Sequence, residues 1–154
     1  MIRYANTAKY ILHKETKKAG IIHVSWITNI IMELPYKELT GKIIGAAIEV
    51  HRQLGPGFIE SIYENALVIE LRRKGLKVSQ QIGIAVKYTG IEVGQHRLDL
   101  LVENSIVVEL KAVKDIEDIH FAVVKSYLKA LGKNHGLILN FAKIKLEAKR
   151  VIYE

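Results

Sequence analysis

The stretch HRLDLLVENSIVVELKAV, residues 96–113, decides how this chain is read. Two apolar runs flank Glu103-Asn104-Ser105, and each carries charge where a core strand would carry none. Asp99 sits inside LDLL, and Glu109 and Lys111 sit inside VVELKAV. If Glu103, Asn104 and Ser105 form the turn of a hairpin, the antiparallel partners follow. Leu98 faces Leu110, Leu100 faces Val108 and Val102 faces Ile106, all apolar and on one side. The other side pairs Asp99 with Glu109, Leu101 with Val107 and Arg97 with Lys111. A one-residue slip would flip one strand's side chains, so the apolar match specifies the register. Directly opposed side chains have Cβ atoms about 4.5–5.5 Å apart, and like charges there are destabilising. The pattern therefore sets two carboxylates face to face. A divalent cation would offset that cost, because Mg²⁺ takes carboxylate oxygens and usually keeps several waters. Lys111 lies on the same face, within reach of a metal-bound water or a scissile phosphate. An Asp, a Glu and a Lys around a hard cation can hydrolyse a phosphodiester. The plain alternative is that Glu109–Lys111 and Asp99–Arg97 are solvated pairs on an open sheet face, and spacing alone favours it slightly.

Outward from the hairpin, the chain alternates helix and strand signals. ELPYKELTGKIIGAAIEVHRQLG, from Glu33, places Ile43, Ala47, Val50 and Leu54 at helical spacing, and Gly55-Pro56-Gly57 ends that helix. A second helix fits Ile59–Arg73, with Ile59, Ile62, Ala66 and Ile69 as its apolar stripe and Gly75 as its stop. Gln80–Tyr88 reads as a strand that turns at Thr89-Gly90 into another. After the hairpin, Asp115–Lys133 reads as a helix with acids at its start, where the dipole favours them, and with Phe121, Val124, Leu128 and Leu131 facing the core. GLILNF is a short strand and Ala148–Tyr153 a final one. The order is that of an α+β or mixed α/β domain.

Composition narrows the class. At 154 residues, with 49% apolar and 25% charged residues, the chain has the make-up of one globular domain with a real core. It has no cysteine, which excludes a disulfide framework and a thiolate metal site and fits a reducing cytoplasm. No apolar run reaches the roughly 20 residues a membrane span needs, and AGIIHVSWITNIIM lacks a secretory cleavage pattern. The net charge of +7 points weakly to a polyanionic partner. Residues 1–31 hold five of the basic residues and one acid, with weak periodicity and no clear caps. We expect them to be an extension from an upstream start, ahead of a single domain at 32–154.

Asp99, nine residues and then Glu109-Leu110-Lys111 resembles the PD-(D/E)XK nuclease superfamily, a weak pattern when taken alone. The preceding helix makes it specific. LGPGFIESIYENAL, residues 54–67, resembles the defining stretch of the GxxExxY protein family, a branch of that superfamily, with Gly57, Glu60 and Tyr63 at the named positions. GKIIGAAIEVHRQLGPG, RLDLLVE, VVELKAV and GLILNF are similar to that family in the same order, so the resemblance runs from about Leu34 to Ile152. It implies a restriction-endonuclease-like α-β-β-β-α-β core, a mixed sheet flanked by helices. It also implies that Asp99, Glu109, Lys111 and Glu60 are catalytic positions, with Asp99, Glu109 and Glu60 holding Mg²⁺ or Mn²⁺. Family members resemble H-x-x-Q-x-x-x-Y in the next helix. His120 and Tyr127 match and join Tyr63 as supporting residues, but Val123 stands where the glutamine is expected. A valine cannot hold a water, a phosphate or the lysine.

Taken together, the expected function is Mg²⁺-dependent hydrolysis of DNA or RNA, with DNA ahead of RNA, in the cytoplasm. The alternative is a nuclease-fold module that binds nucleic acid with little or no catalysis. Arg72, Arg73, Lys125 and Lys129 are candidate phosphate contacts, although each taken singly is an ordinary solvated cation. No sequence-reading motif is visible, so binding is expected to be largely sequence-independent. A homodimer is a further expectation, since many nucleases of the superfamily act as dimers.

Overall fold

The computed structural model describes the backbone of residues 24–154 and the side chains of residues 36–154. The chain divides into two compact units, Met1–Leu39 and Thr40–Glu154. The expectation for residues 1–31 therefore falls largely outside the described residues. Helix α1 spans Val24–Leu54, and α2 spans Glu60–Arg73. Strands β1 (Val78–Tyr88), β2 (Ile91–Val102) and β3 (Ile106–Lys111) follow, then α3 (Asp118–Leu131), β4 (His135–Asn140) and β5 (Glu147–Ile152). The strands form one sheet in sequence order. Only β3 and β4 run parallel, which is why a helix must carry the chain between them; the other pairs are antiparallel. This is the expected mixed α+β architecture.

Turn chemistry sets the hairpins. Thr89 and Gly90 both have positive φ, as a two-residue turn of primed type requires, and they join β1 to β2. The β2–β3 turn is Glu103-Asn104-Ser105, as its register implies. Glu103 and Asn104 are both left-handed there. Two bonds tie Glu103 down: its N–H donates to the Lys77 carbonyl at 2.8 Å, and its Oε1 accepts from the Lys77 N–H at 2.6 Å.

α3 packs on one face of the sheet. Val124, Tyr127 and Leu128 meet Ile84, Leu98, Leu101, Val107, Ile138 and Val151, with Phe121, Val123 and Leu131 at the margin. Gly136 makes the approach possible, because a Cβ there would lie 2.7 Å from Val124 Cγ1. Their neighbours along the strands, among them Leu100, Val108, Leu110, Leu137 and Leu139, are fully buried as well. The sheet centre is thus covered on both faces, as expected where a parallel pair lies inside.

α2 corrects the sequence reading. The stripe expected to be buried is the outward one: Ile59, Ile62 and Ile69 are 68%, 41% and 62% exposed. Tyr63, Leu67, Val68 and Leu71 are buried instead, together with Glu64. The helix carries isoleucines on one side and Tyr/Leu on the other, so spacing alone does not identify the inner face. Leu54, at 36% exposure, also lies at the surface rather than in the core.

Candidate active site

The β2–β3 hairpin follows the expected register over three rungs, Val102↔Ile106, Leu101↔Val107 and Leu100↔Val108, and then stops. The expected rungs Asp99–Glu109, Leu98–Leu110 and Arg97–Lys111 do not form. Beyond Val108, β3 pairs only with β4, which places Glu109 beside Ile138 and Lys111 beside Asn140. The Asp99 carboxylate fills the gap between the splayed strands, accepting the Leu110 N–H at 2.8 Å through Oδ2. Leu98, expected on the face of Leu100, packs instead with Leu101 and Val107. Alternation fails where the ladder does.

Asp99 and Glu109 nevertheless stand close enough for each charge to act on the other. Burial, followed by the Glu109 charge, pushes the Asp99 carboxyl up to about 7 despite the amide from Leu110. Burial raises Glu109 as well, against its bond to Lys111, and the charges of Glu60 and Glu64 add to that. Lys111 donates from Nζ to Glu109 Oε1 at 2.8 Å. Burial works against the lysine's charge, but Glu109, Glu60 and Asp99 outweigh it and hold its pKa above the ordinary value. Glu109 is 5% exposed, so the solvated-pair alternative fails for this residue. Its Oε2 is buried with no hydrogen-bond partner among the described residues, which is rare for a carboxylate oxygen and calls for an explanation.

The three named residues of G-x-x-E-x-x-Y all act on backbone. Gly57 has φ 112°, which favours glycine. Glu60 opens α2 and accepts the Ala112 N–H at 3.1 Å, docking the helix against the exit from Lys111. Tyr63 is fully buried and stacks on Phe141 at 4.5 Å. Its hydroxyl donates to the Gly55 carbonyl at 2.7 Å and accepts from the Phe58 N–H at 3.1 Å, closing the Gly-Pro-Gly turn.

The other expected site residues divide. Tyr127 donates to the Arg97 carbonyl at 2.8 Å and rests against His96, which holds β2 two residues before Asp99. Burial and then the charges of Glu109 and Asp99 raise its pKa. His120 caps α3: its Nδ1 accepts the Glu117 N–H, completing a capping box. Val123 is half-buried against the α3 core. Lys125 and Lys129 are exposed one turn apart on α3. Arg72 and Arg73 are exposed at the end of α2, where Arg73 approaches Glu70 at 3.7 Å. None of these four forms a hydrogen bond or ion pair with Asp99 or Glu109.

Two groups escaped the sequence reading. Asn140 is fully buried and clamps Val113: Oδ1 accepts the Val113 N–H at 3.1 Å and Nδ2 donates to the Val113 carbonyl at 2.8 Å. A polar residue ending the apolar run GLILN was its signal. Glu64 is also buried, and both Gln80 and Gln81 donate amides to it.

A family model described as the PD-(D/E)XK nuclease superfamily matches residues 37–151. The chain belongs to the PD-(D/E)XK nuclease superfamily. Among solved structures, an alkaline exonuclease from Laribacter hongkongensis aligns at 12% identity over 71% of this chain and 68% of that one, with a TM-score of 0.47. No curated protein matches the sequence. No helix among the described residues is long and apolar enough to cross a membrane.

Nucleases of this superfamily generally use a divalent metal. Among the described residues, no three His, Asp or Glu side chains meet as a ready-made cage. The residues present fit a looser arrangement. Mg²⁺ is commonly held by one or two carboxylates with waters completing its shell. A part-buried Asp and a buried Glu, mutually repelling and with one oxygen unpartnered, make such a donor pair.

Proposed function

We propose that this nuclease-like protein hydrolyses phosphodiester bonds of nucleic acid with Mg²⁺ or Mn²⁺, DNA ahead of RNA, and that Asp99 and Glu109 hold the cation. The unpartnered buried Glu109 Oε2 carries this reading, because a carboxylate oxygen withdrawn from water needs a cation or a donor. The bound cation would supply Lewis-acid activation of water and charge stabilisation of the anionic transition state. The chain's own residues do the rest. Asp99 is anchored through Leu110, so its carboxylate stays fixed while the ligand changes. Lys111 is held by Glu109 and points positive charge into the same space, where a phosphoryl oxygen is stabilised as charge develops. Glu60 and Asn140 brace the backbone on the far side of Lys111. The resemblance at Gly57, Glu60 and Tyr63 supports the GxxExxY branch, and Arg72, Arg73, Lys125 and Lys129 are offered as sequence-independent phosphate contacts.

The second reading is a binding or accessory module with little catalysis. Val123 favours it, because an apolar residue packed at the margin of the core supplies no polar group there. Incubation with plasmid, single-stranded DNA and RNA, in Mg²⁺, Mn²⁺ or chelator, separates the two. Cation-dependent cleavage that disappears in Asp99→Ala and Lys111→Ala supports the nuclease. Cleavage no faster than in both variants, with nucleic-acid binding retained, supports the module.

A further inference from the structure

Gln81 is the one non-glycine residue inside a strand, rather than at a turn, with positive φ among the described residues (55°). Its position is the missing rung of the β1–β2 ladder: Gln80 pairs with Leu100 and Ile82 with Leu98, so Gln81 stands opposite Asp99 without pairing to it. A left-handed backbone in a strand costs energy and persists only where its surroundings enforce it.

What the strain achieves is visible in the side chains. Consecutive strand residues normally point to opposite faces. Here both Gln80 and Gln81 reach the same carboxylate. Gln81 Nε2 donates to Glu64 Oε1 at 2.8 Å and Oε2 at 2.7 Å, and Gln80 Nε2 donates to Oε1 at 2.7 Å. Glu64 is 6% exposed, on the turn of α2 after Glu60. Its hydrogen-bond partners are neutral amides rather than cations, although the charges of Asp99 and Glu109 both feel it. Glu109, whose Oε2 is buried and unpartnered among the described residues, feels the charge of Glu64 and so belongs to the same group of acids. A fold seeking stability alone would not gather a third buried acid beside two others and strain a strand to hold it.

We propose that Gln81 is a positioning residue, whose left-handed rung fixes Glu64 as an outer acid that holds the water shell of a divalent cation bound at Asp99 and Glu109. This rests on the cation reading above. Glu64 is not asked to touch the cation, in keeping with the lack of a three-acid cage among the described residues. Direct ligands without oriented outer partners bind metals more weakly.

The test uses the full chain and thermal melts in chelator and in excess MnCl₂ at pH 8. Binding to the folded state raises the melting temperature by mass action. Glu64→Gln is expected to melt no lower than wild type in chelator and to lose at least half of the Mn²⁺-induced rise. Gln81→Gly removes both the strain and the amide; Gln81→Asn keeps a residue that tolerates this backbone but shortens its reach. Both should lose a similar part of the rise, and adding Gln81→Gly to Glu64→Gln should lose nothing further, as two residues acting as one unit require. A Glu64→Gln variant that melts lower in chelator with a full Mn²⁺ rise would make Glu64 a structural acid and overturn the proposal alone. A wild type with no Mn²⁺ rise would overturn the cation reading and this proposal with it.

Discussion

Replacing Asp99 with asparagine should make the protein more stable at neutral pH, and by an amount that depends on pH. The substitution keeps an oxygen to accept the Leu110 N–H and removes the charge. The folded carboxyl titrates near 7 against an ordinary 3.8, so the folded state binds the proton more tightly than the unfolded chain. Stability from this group is therefore full below about pH 4 and falls as pH rises towards 7, the reverse of a salt-bridged aspartate. A difference of about three pH units corresponds to about 4 kcal/mol at 1.36 kcal/mol per unit. Asp99 is only part-buried, and solvent screening reduces this to about 2 kcal/mol at pH 8. For a domain of this size that is a rise of about 4–8 °C in melting temperature. Circular-dichroism melts of both proteins, in chelator at pH 5 and pH 8, give the comparison, with the gain at pH 5 expected to be less than about half of that at pH 8. An Asp99→Asn protein less stable than wild type at pH 8, or displaced equally at both values, would mean that burial does not raise the Asp99 carboxyl.

Lys111→Met leaves the buried Glu109 with neither oxygen partnered, so urea titration should show a loss of about 3–5 kcal/mol at pH 8. The loss should shrink at low pH, because burial has raised the Glu109 pKa and protonation then removes the stranded charge. Tyr63→Phe loses the hydroxyl that closes the Gly-Pro-Gly turn and should cost about 1–2 kcal/mol in urea, with Mn²⁺ binding retained. Gly136→Ala drives a methyl into Val124 and should lower stability by about 1–3 kcal/mol in thermal melts.

The sequence exposed the hairpin because apolar residues match across only one register, and three observed rungs follow it. It did not expose where pairing stops. That depends on β3 choosing β4, a partner 29 residues away at each rung, and on Asp99 supplying a side chain where backbone was expected. The motif at Gly57, Glu60 and Tyr63 located the helix and its start, and its Tyr63 is buried, whereas the apolar spacing Ile59, Ile62, Ala66 and Ile69 pointed to the wrong inner face. Isoleucines line one side and Tyr63, Leu67, Val68 and Leu71 the other, so both faces are apolar and only tertiary contact decides between them. Glu60 was legible as an acid near Lys111, through Ala112. Glu64 was not, since a buried glutamate on a helix reads as ordinary surface until Gln80 and Gln81 are seen to hold it. His120 matched a pattern and turned out to cap a helix, a role its spacing from Glu117 permits but does not announce.

Asp99 and Glu109 are proposed to take up a divalent cation together. Calorimetric titration of Mn²⁺ into wild type and Asp99→Ala at pH 6.5, in buffers of different ionisation enthalpy, tests it most directly. A carboxyl titrating near 7 is largely protonated there, so cation binding must release protons. Wild type is expected to bind saturably with a buffer-dependent heat, and Asp99→Ala at least about tenfold more weakly, a loss of about 1.4 kcal/mol. Equal affinity in the two proteins, or binding to wild type with no proton released, would contradict it.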